Sequence, residues 1–70
     1  MIRHGMIRDN NGEWISMSVV ERLYVETTTD EEMIFWIEGK MKMDESTFIL
    51  SREFDNLEDA QDWLDKIMEV

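Results

Sequence analysis

The sequence contains no cysteine, no proline and a single histidine, His4. Without cysteine there are no disulfides and no thiolate zinc sites, and one histidine cannot build a histidine metal cluster. The lack of proline and the presence of only three glycines indicate one compact domain, residues 1–70, without a linker. A chain this short has a marginal core when disulfides and metals are excluded, so self-association is the remaining means of stabilisation.

Basic residues are also scarce. Seven lysines and arginines stand against 17 aspartates and glutamates, which gives a formal net charge of −10, while 43% hydrophobic residues suffice for a folded core. Such a surface repels nucleic acid and anionic membranes and attracts basic proteins. The amino-terminal segment MIRHGMIRDNNG has no apolar run that would suit a secretion signal or a membrane anchor. We therefore expect a soluble protein located in the cytoplasm.

No catalytic or cofactor motif is present. A serine–histidine–carboxylate triad would need His4, and no serine stands at a supporting spacing from it. There is no glycine-rich phosphate loop, and the carboxylates cluster in turns and on an outer helix face, where they stay ionised and solvated. The stretches TDEE and DES are typical of solvated acidic turns and lack the ligand frame of a calcium or magnesium site. The sequence predicts neither an enzyme nor a bound cofactor or metal.

The hydrophobic periodicity predicts an α+β fold, namely a four-stranded antiparallel meander followed by one C-terminal helix packed on one face (β-β-β-β-α). The segment RDNNGE predicts the first hairpin turn because Asn and Gly tolerate the positive φ of tight turns, and its contiguous polar residues do not match a calcium loop. The turns TTTDEE and DES separate the next strands, and the second strand should be bent or bulged near Glu21. These three later strands comprise residues 13–29, 33–43 and 47–54.

Alternation gives the predicted sheet two apolar faces, and the single helix covers only one. The covered face should contain Ile15, Met17, Val19, Leu23, Val25, Met33, Phe35, Ile37, Met41, Met43, Phe48, Leu50 and Phe54. The other face should contain Trp36, Tyr24, Val20 and Ile34, together with Ile49 and Trp14. Large exposed apolar sets usually mark interfaces, so this uncovered face or an edge strand would form a homodimer. Alternatively, strand twist and loops cover these aromatic residues beneath a sheet edge.

The C-terminal segment NLEDAQDWLDKIMEV predicts a helix over residues 57–69, capped by Asp55 or Asn56. Glu58 follows Asp55 by three residues, which is the spacing of a capping box. At about 100° per residue, one side is apolar and the opposite side is acidic. The apolar side holds Leu57, Ala60, Leu64, Ile67 and Met68, with Trp63 at its edge. The opposite side, hereafter the acidic line, consists of Glu58, Asp62, Asp65 and Glu69.

The acidic line is unfavourable for the helix itself. Like-charge neighbours three or four residues apart each cost about 0.2–0.5 kcal/mol, and the helix dipole disfavours anions near the carboxyl end. Over its span of roughly 16 Å, one DNA strand carries about five phosphates. The line is therefore either a solvated face that serves solubility or a surface that occupies the nucleic-acid site of a basic protein.

In its length, its acidic and cysteine-free composition and its helix LEDAQDWLDKIMEV, the chain resembles the small acidic DNA-mimic proteins of bacteriophages. Among these it is most similar to proteins that inhibit the nucleoid protein HU. The resemblance implies a homodimer in the host bacterial cytoplasm that competes with DNA for the basic cleft of an HU-like protein. The implied contact residues are Glu58, Asp62, Asp65 and Glu69, followed by Asp30, Glu31 and Glu32.

One feature of the sequence departs from this resemblance. The amino-terminal strand is basic, with Arg3, His4 and Arg8, and does not fit a uniform mimic of DNA. The rival hypothesis is a phage inhibitor or adaptor, such as an anti-CRISPR or a transcription modulator, that binds its partner through the apolar sheet face. Salt separates the two hypotheses, because a complex held by charge weakens steeply as ionic strength rises.

Overall fold

The computed structural model describes residues 2–28, 31 and 33–68. Within them the chain is α+β, as predicted, but it forms two three-stranded antiparallel sheets where the sequence predicted a single four-stranded meander. The first sheet has the order β1-β2-β3 and the second β4-β5-β6. The elements are β1 (Ile2–Arg3), β2 (Met6–Arg8), β3 (Trp14–Ser16), β4 (Val20–Thr27), β5 (Phe35–Met41), β6 (Thr47–Ile49) and α1 (Leu57–Met68).

The extra amino-terminal strand arises from a tight turn at His4 and Gly5. Both residues have positive φ, 53° and 73°, and Arg3 pairs with Met6 across the turn. A two-residue hairpin loop of this kind requires positive φ at both central positions, and Gly5 supplies one of them without steric cost. The amino-terminal strand expected from the sequence is therefore two short strands.

The turn between β2 and β3 agrees with the prediction from RDNNGE. The Asp9 carboxylate accepts the backbone N–H groups of Asn11 and Glu13, both at 2.9 Å, and Gly12 has a φ of 87°. The Asp9 side chain thus organises the loop by binding its own backbone.

The long strand predicted over residues 13–29 is interrupted by a single turn of 3₁₀ helix, Met17–Val19. Ser16 caps this turn, because its Oγ accepts the backbone N–H of Ser18 at 3.3 Å. Serine offers such local side-chain bonds as an alternative to the ladder of a sheet. The interruption assigns the segment before it to the first sheet and the segment after it to the second.

A β-bulge lies at Glu21, as predicted, and it changes the face to which Val20 belongs. Val20 pairs with Met41, whereas Arg22 pairs with Lys40, so Glu21 is the extra residue. Because side chains alternate along β5, Met41 and its partner Val20 lie on the same face as Ile37. Val20 is only 6% exposed, and its predicted position on the uncovered face is wrong.

Strand β6 ends earlier than the prediction of residues 47–54. The Ser51 hydroxyl accepts the Ile37 N–H at 2.8 Å, in the place that a strand carbonyl would take. The chain rejoins β5 only at Phe54, which exchanges two backbone bonds with Phe35 at 2.7 and 2.9 Å. Residues 51–53 therefore bulge out of the ladder, although Leu50 and Phe54 still enter the core.

The helix begins at an asparagine cap. The Asn56 Oδ1 accepts the Asp59 N–H at 2.8 Å, and the Asn56 amide donates to the Asp59 carboxylate at 3.1 Å. Of the two predicted caps, Asn56 is the one observed. The reciprocal contact is made with Asp59, so the predicted capping box between Asp55 and Glu58 is wrong.

The core lies between the second sheet, the first sheet and α1. Its buried members are Ile7, Ile37, Leu50, Phe54 and Ala60, and partly buried residues pack around them: Ile2, Ile15, Met17, Leu23, Val25, Phe35, Phe48, Trp63, Leu64 and Ile67. Most of the predicted covered face is confirmed by this set.

Five residues predicted to lie on apolar faces are instead exposed. Val19, Met33 and Met43 lie outside the strands, where the alternation of side chains no longer applies, and Met43 is 90% exposed. Leu57 and Met68 lie at the two ends of α1, which packs on the core through its middle turns. The predicted apolar side of the helix is therefore shorter than its sequence pattern.

Candidate partner-binding surfaces

The acidic line lies on the solvent side of α1. Glu58, Asp62 and Asp65 are all exposed, whereas Ala60 and Leu64 on the opposite side face the core. Glu69, the fourth member, lies outside the described residues. The helical spacing thus brings three carboxylates to one exposed surface.

These three carboxylates form no ion pair with a base of the described chain. Within residues 2–28, 31 and 33–68, the ion pairs are those of Lys40 with Glu21 at 3.7 Å and with Glu45 at 3.8 Å. Asp65 accepts a hydrogen bond of 3.1 Å from the Gln61 amide, a neutral donor that orients the carboxylate and leaves its charge unbalanced. The line therefore presents net negative charge to the solvent.

Two cations border this surface. Arg52 and Lys66 line a shallow depression together with Asp59, Asp62 and Trp63. The Arg52 guanidinium lies 4.3 Å from the centroid of the Phe54 ring, which holds it by a cation–π contact. The acidic surface consequently has a mixed border on the Arg52 side and is uniformly acidic along Glu58, Asp62 and Asp65.

The second predicted group of acids is only partly described. Glu31 is exposed, and Asp30 and Glu32 lie outside the described residues. Of this group the structure therefore places Glu31 alone, on the exposed surface.

The sheet face opposite α1, hereafter the open face, is a network of aromatic and charged side chains. Tyr24 Oη donates to Glu38 Oε2 at 2.6 Å, and Trp36 Nε1 donates to Glu38 Oε1 at 3.1 Å. Glu38 thus holds both aromatic residues that were predicted for an apolar dimer interface. Each is partly buried, as is Ile34, while Ile49 is exposed.

The same network perturbs Tyr24. The hydrogen bond to Glu38, then burial and the negative charge of Glu38, raise the pKa of Tyr24 to about 12. Above Tyr24, the Arg22 guanidinium lies 5.0 Å from the ring centroid. The open face is therefore a polar network with its hydrogen bonds satisfied, and its apolar area is smaller than the sequence pattern indicated.

The outer face of the first sheet was not predicted as a surface. The pairings Arg3–Met6 and Arg8–Trp14 place two arginines, a methionine and a half-exposed tryptophan on the side away from Ile7. The Arg8 guanidinium lies 5.8 Å from the centroid of the Trp14 ring, and its Nε donates to the Gly12 carbonyl at 3.2 Å. The alternation of side chains along β1 and β2 predicts this face once a turn is placed at His4 and Gly5.

Within the part of the chain that the structure describes, no three His, Asp or Glu residues are grouped so that they could hold a metal ion. His4, the histidine that a catalytic triad would need, is exposed in the first hairpin turn. None of the described helices is long and apolar enough to cross a membrane. The prominent surfaces are therefore the acidic line, the open face and the basic outer face of the first sheet.

Comparison with protein-family models finds no match to this chain, and comparisons with curated proteins and with solved structures also find none.

Proposed function

We propose that the chain is a DNA-mimic inhibitor that binds a basic, HU-like DNA-binding protein through the acidic line and blocks its access to DNA. The observation that carries this proposal is the exposure of Glu58, Asp62 and Asp65 on one side of α1 without ion pairs to described bases. A partner would therefore not have to displace an internal cation in order to reach these carboxylates. The net charge of −10 adds long-range attraction for such a partner.

The spacing of the carboxylates suits a groove that normally holds a phosphate backbone. Residues 58 and 65 are seven positions apart, which corresponds to roughly 10 Å along the helix axis. One DNA strand places about three phosphates over that distance, at ~3.4 Å each. Three carboxylates on a rigid helix thus approximate the charge of a short DNA segment, and the helix holds them without the loss of freedom that a flexible acidic tail would incur.

Competition with DNA tests the proposal. The protein should displace duplex DNA from an HU-like protein, as followed by fluorescence anisotropy of labelled DNA, and should not itself bind the DNA. Its affinity for the HU-like protein should fall steeply between low and moderate salt, because screening acts on exposed charges. If the protein displaces no DNA from the HU-like protein at all salt concentrations tested, the proposal is wrong.

One observation favours the rival function, an adaptor that binds through the open face. Ile49 is exposed and lies beside Trp36 on that face. These two residues line a depression with Asn10 and Arg52. An apolar partner seated there would resist salt, and Ile49→Asp would disrupt its complex. The acidic-line complex should instead be unaffected by Ile49→Asp, so this variant separates the two functions.

A further inference from the structure

Among the strands that the structure describes, none pairs with the outer edge of β4. In the second sheet β5 is central, and β4 and β6 are the two edges. The β6 edge is partly occupied, since the Asn10 N–H donates to the Ile49 carbonyl at 2.9 Å. Among the described residues, β4 has β5 as its only strand partner. On the side of β4 that faces away from β5, the Thr27 N–H donates to the Glu26 carboxylate at 3.0 Å. An edge of eight residues is a template for another strand.

The hydrogen bonds on the inner side determine which groups point outward. The Thr28 N–H donates to the Ile34 carbonyl, so even-numbered residues of β4 direct their backbone groups toward β5. The bonds of Met41 to Ser46 and of Leu50 to Ile37 agree, because they direct odd-numbered residues of β5 toward β6 and away from β4. The outward groups of β4 are consequently those of Leu23, Val25 and Thr27.

The sequence of this edge is self-complementary when it is read in antiparallel pairing. With a two-fold axis at Tyr24, Leu23 faces Val25 of a second copy, and Arg22 faces Glu26 of that copy. Leu23 and Val25 then occupy hydrogen-bonded positions, so the two copies can form four backbone bonds. Arg22, Tyr24 and Glu26 occupy the intervening positions, where facing side chains approach most closely.

The side chains leave these positions free for the contact. Arg22 is exposed, forms no ion pair with a described carboxylate, and is held at the edge by the Tyr24 ring. Glu26 uses Oε1 for the Thr27 N–H, and its second oxygen remains to accept from an arginine. Tyr24 leans toward Glu38 on β5, away from the outer edge, so two copies of its ring do not collide at the axis.

Neighbouring registers lose this complementarity. An axis at Leu23 would place Arg22 opposite Tyr24 and Glu26 opposite Val20, while an axis at Val25 would place Glu26 opposite Tyr24. Charged residues on an edge strand ordinarily prevent pairing, but in the Tyr24 register the two opposite charges meet and favour it.

We infer that two copies of this chain associate through the outer edges of β4, with the two-fold axis at Tyr24, to form a continuous six-stranded antiparallel sheet.

The assembly is isologous and closed, as expected for a symmetric dimer. Because the axis is perpendicular to the sheet, both α1 helices lie on the same side of it and both open faces lie on the other. The dimer would thus carry two acidic lines on one surface. The inference rests on the β4 edge alone and does not depend on the proposed function.

Charge exchange across the axis tests the register. Sedimentation velocity over a range of concentrations should show a monomer–dimer equilibrium for the wild type. Arg22→Glu and Glu26→Arg should each raise the dimer dissociation constant at least tenfold, because like charges then face each other in two places. The double variant Arg22→Glu/Glu26→Arg should restore dimerisation to near the wild-type value.

Lys42→Glu is the matched control for Arg22→Glu, because it makes the same change in net charge at an exposed turn residue that lies off the β4 edge. This variant should leave the monomer–dimer equilibrium unchanged.

Amide hydrogen exchange gives a second measurement, in which protection of the Leu23 and Val25 amides should rise with protein concentration. A monomer at millimolar concentration would overturn the inference, and so would a dimer that Trp36→Glu dissociates while both edge reversals leave it intact. Neither result would affect displacement of DNA by the acidic line, which is measured separately.

Discussion

The ring of Phe48 lies directly over Gly39, its partner across the β5–β6 pair. A Cβ built at position 39 would lie 2.7 and 2.8 Å from Cε1 and Cε2 of this ring, closer than side-chain carbons approach. The aromatic ring fills the space that the glycine leaves on the core face of the sheet, an arrangement that stabilises glycine within strands.

Gly39→Ala should therefore destabilise the protein by on the order of 1–3 kcal/mol, because the added methyl group forces the Phe48 ring out of its position. This loss should exceed the ~0.4–1 kcal/mol that Gly→Ala changes usually gain through the unfolded state. Urea unfolding measures the difference. In the double variant Gly39→Ala/Phe48→Leu, the two effects should be non-additive by more than about 0.5 kcal/mol; additive effects would show that the ring does not cover the glycine.

The hydrogen bond between Tyr24 and Glu38 predicts a late titration. Tyr24 is the one tyrosine of the chain, so ultraviolet absorbance of tyrosinate reports it alone. In the folded protein its pKa should be about 12, compared with the ordinary 10.0, and Glu38→Gln should lower the pKa toward 10 by removing the charged acceptor. A wild-type pKa near 10 would contradict the network on the open face.

The same shift sets a pH dependence of stability. Between pH 10 and 12 the folded state retains the Tyr24 proton that the unfolded state loses. The contribution of this residue is therefore complete below about pH 10 and is lost as the pH rises through about 12. In Tyr24→Phe that part of the alkaline decline should be absent.

The helix cap gives a further prediction. Asn56→Ala should lower the free energy of unfolding by about 1 kcal/mol, because the Asp59 N–H loses its acceptor. Asp55→Ala is the matched control, since Asn56 is the residue that caps the helix, and its effect should stay within about 0.5 kcal/mol. Thermal unfolding of both variants checks the assignment, and an equal loss in the two would refute it.

Reversal of the acidic line should leave the protein folded. In Asp62→Lys/Asp65→Lys the helix loses a like-charge contact with Glu58 and gains a cation near its carboxyl end, but the new lysine at position 62 also lies one turn from Lys66. We expect the free energy of unfolding to be unchanged or raised by at most ~1 kcal/mol. Circular dichroism during heating measures it. A large loss of stability would mean that the carboxylates have a structural role.

Local sequence signals predicted the elements whose cause is local. The helical period, a cap at Asp55 or Asn56, the turn at RDNNGE and a bend or bulge near Glu21 were all predicted from neighbouring residues, and the structure agrees with each, with Asn56 as the cap and a bulge at Glu21. Glu21 also shows the limit of such reasoning, because a single extra residue reverses the face of Val20, and only the pairing with β5 reveals this.

The features that were missed depend on contacts between distant residues or on weak turn signals. The Ser51 hydroxyl ends β6 by bonding Ile37, fourteen positions away. Glu38 converts the expected apolar face into a polar network through Tyr24 and Trp36, and alternation alone does not show that its carboxylate reaches both. Of the candidate site, the exposed positions of Glu58, Asp62 and Asp65 on one side of α1 agree with the prediction, because the spacing along a single helix determines them.

Whether the acidic line is the surface that binds an HU-like protein is decided by the dissociation constant of the complex, measured by calorimetry for the wild type and two charge-matched variants. Asp62→Lys/Asp65→Lys should weaken the complex at least a hundredfold, since two mid-line carboxylates become cations facing a basic cleft. Glu13→Lys/Glu45→Lys makes the same change in net charge at exposed loop residues outside α1 and should weaken it less than tenfold. Equal weakening by the two variants would contradict a specific acidic surface, and an unchanged constant for the Asp62→Lys/Asp65→Lys variant would exclude the acidic line from the interface.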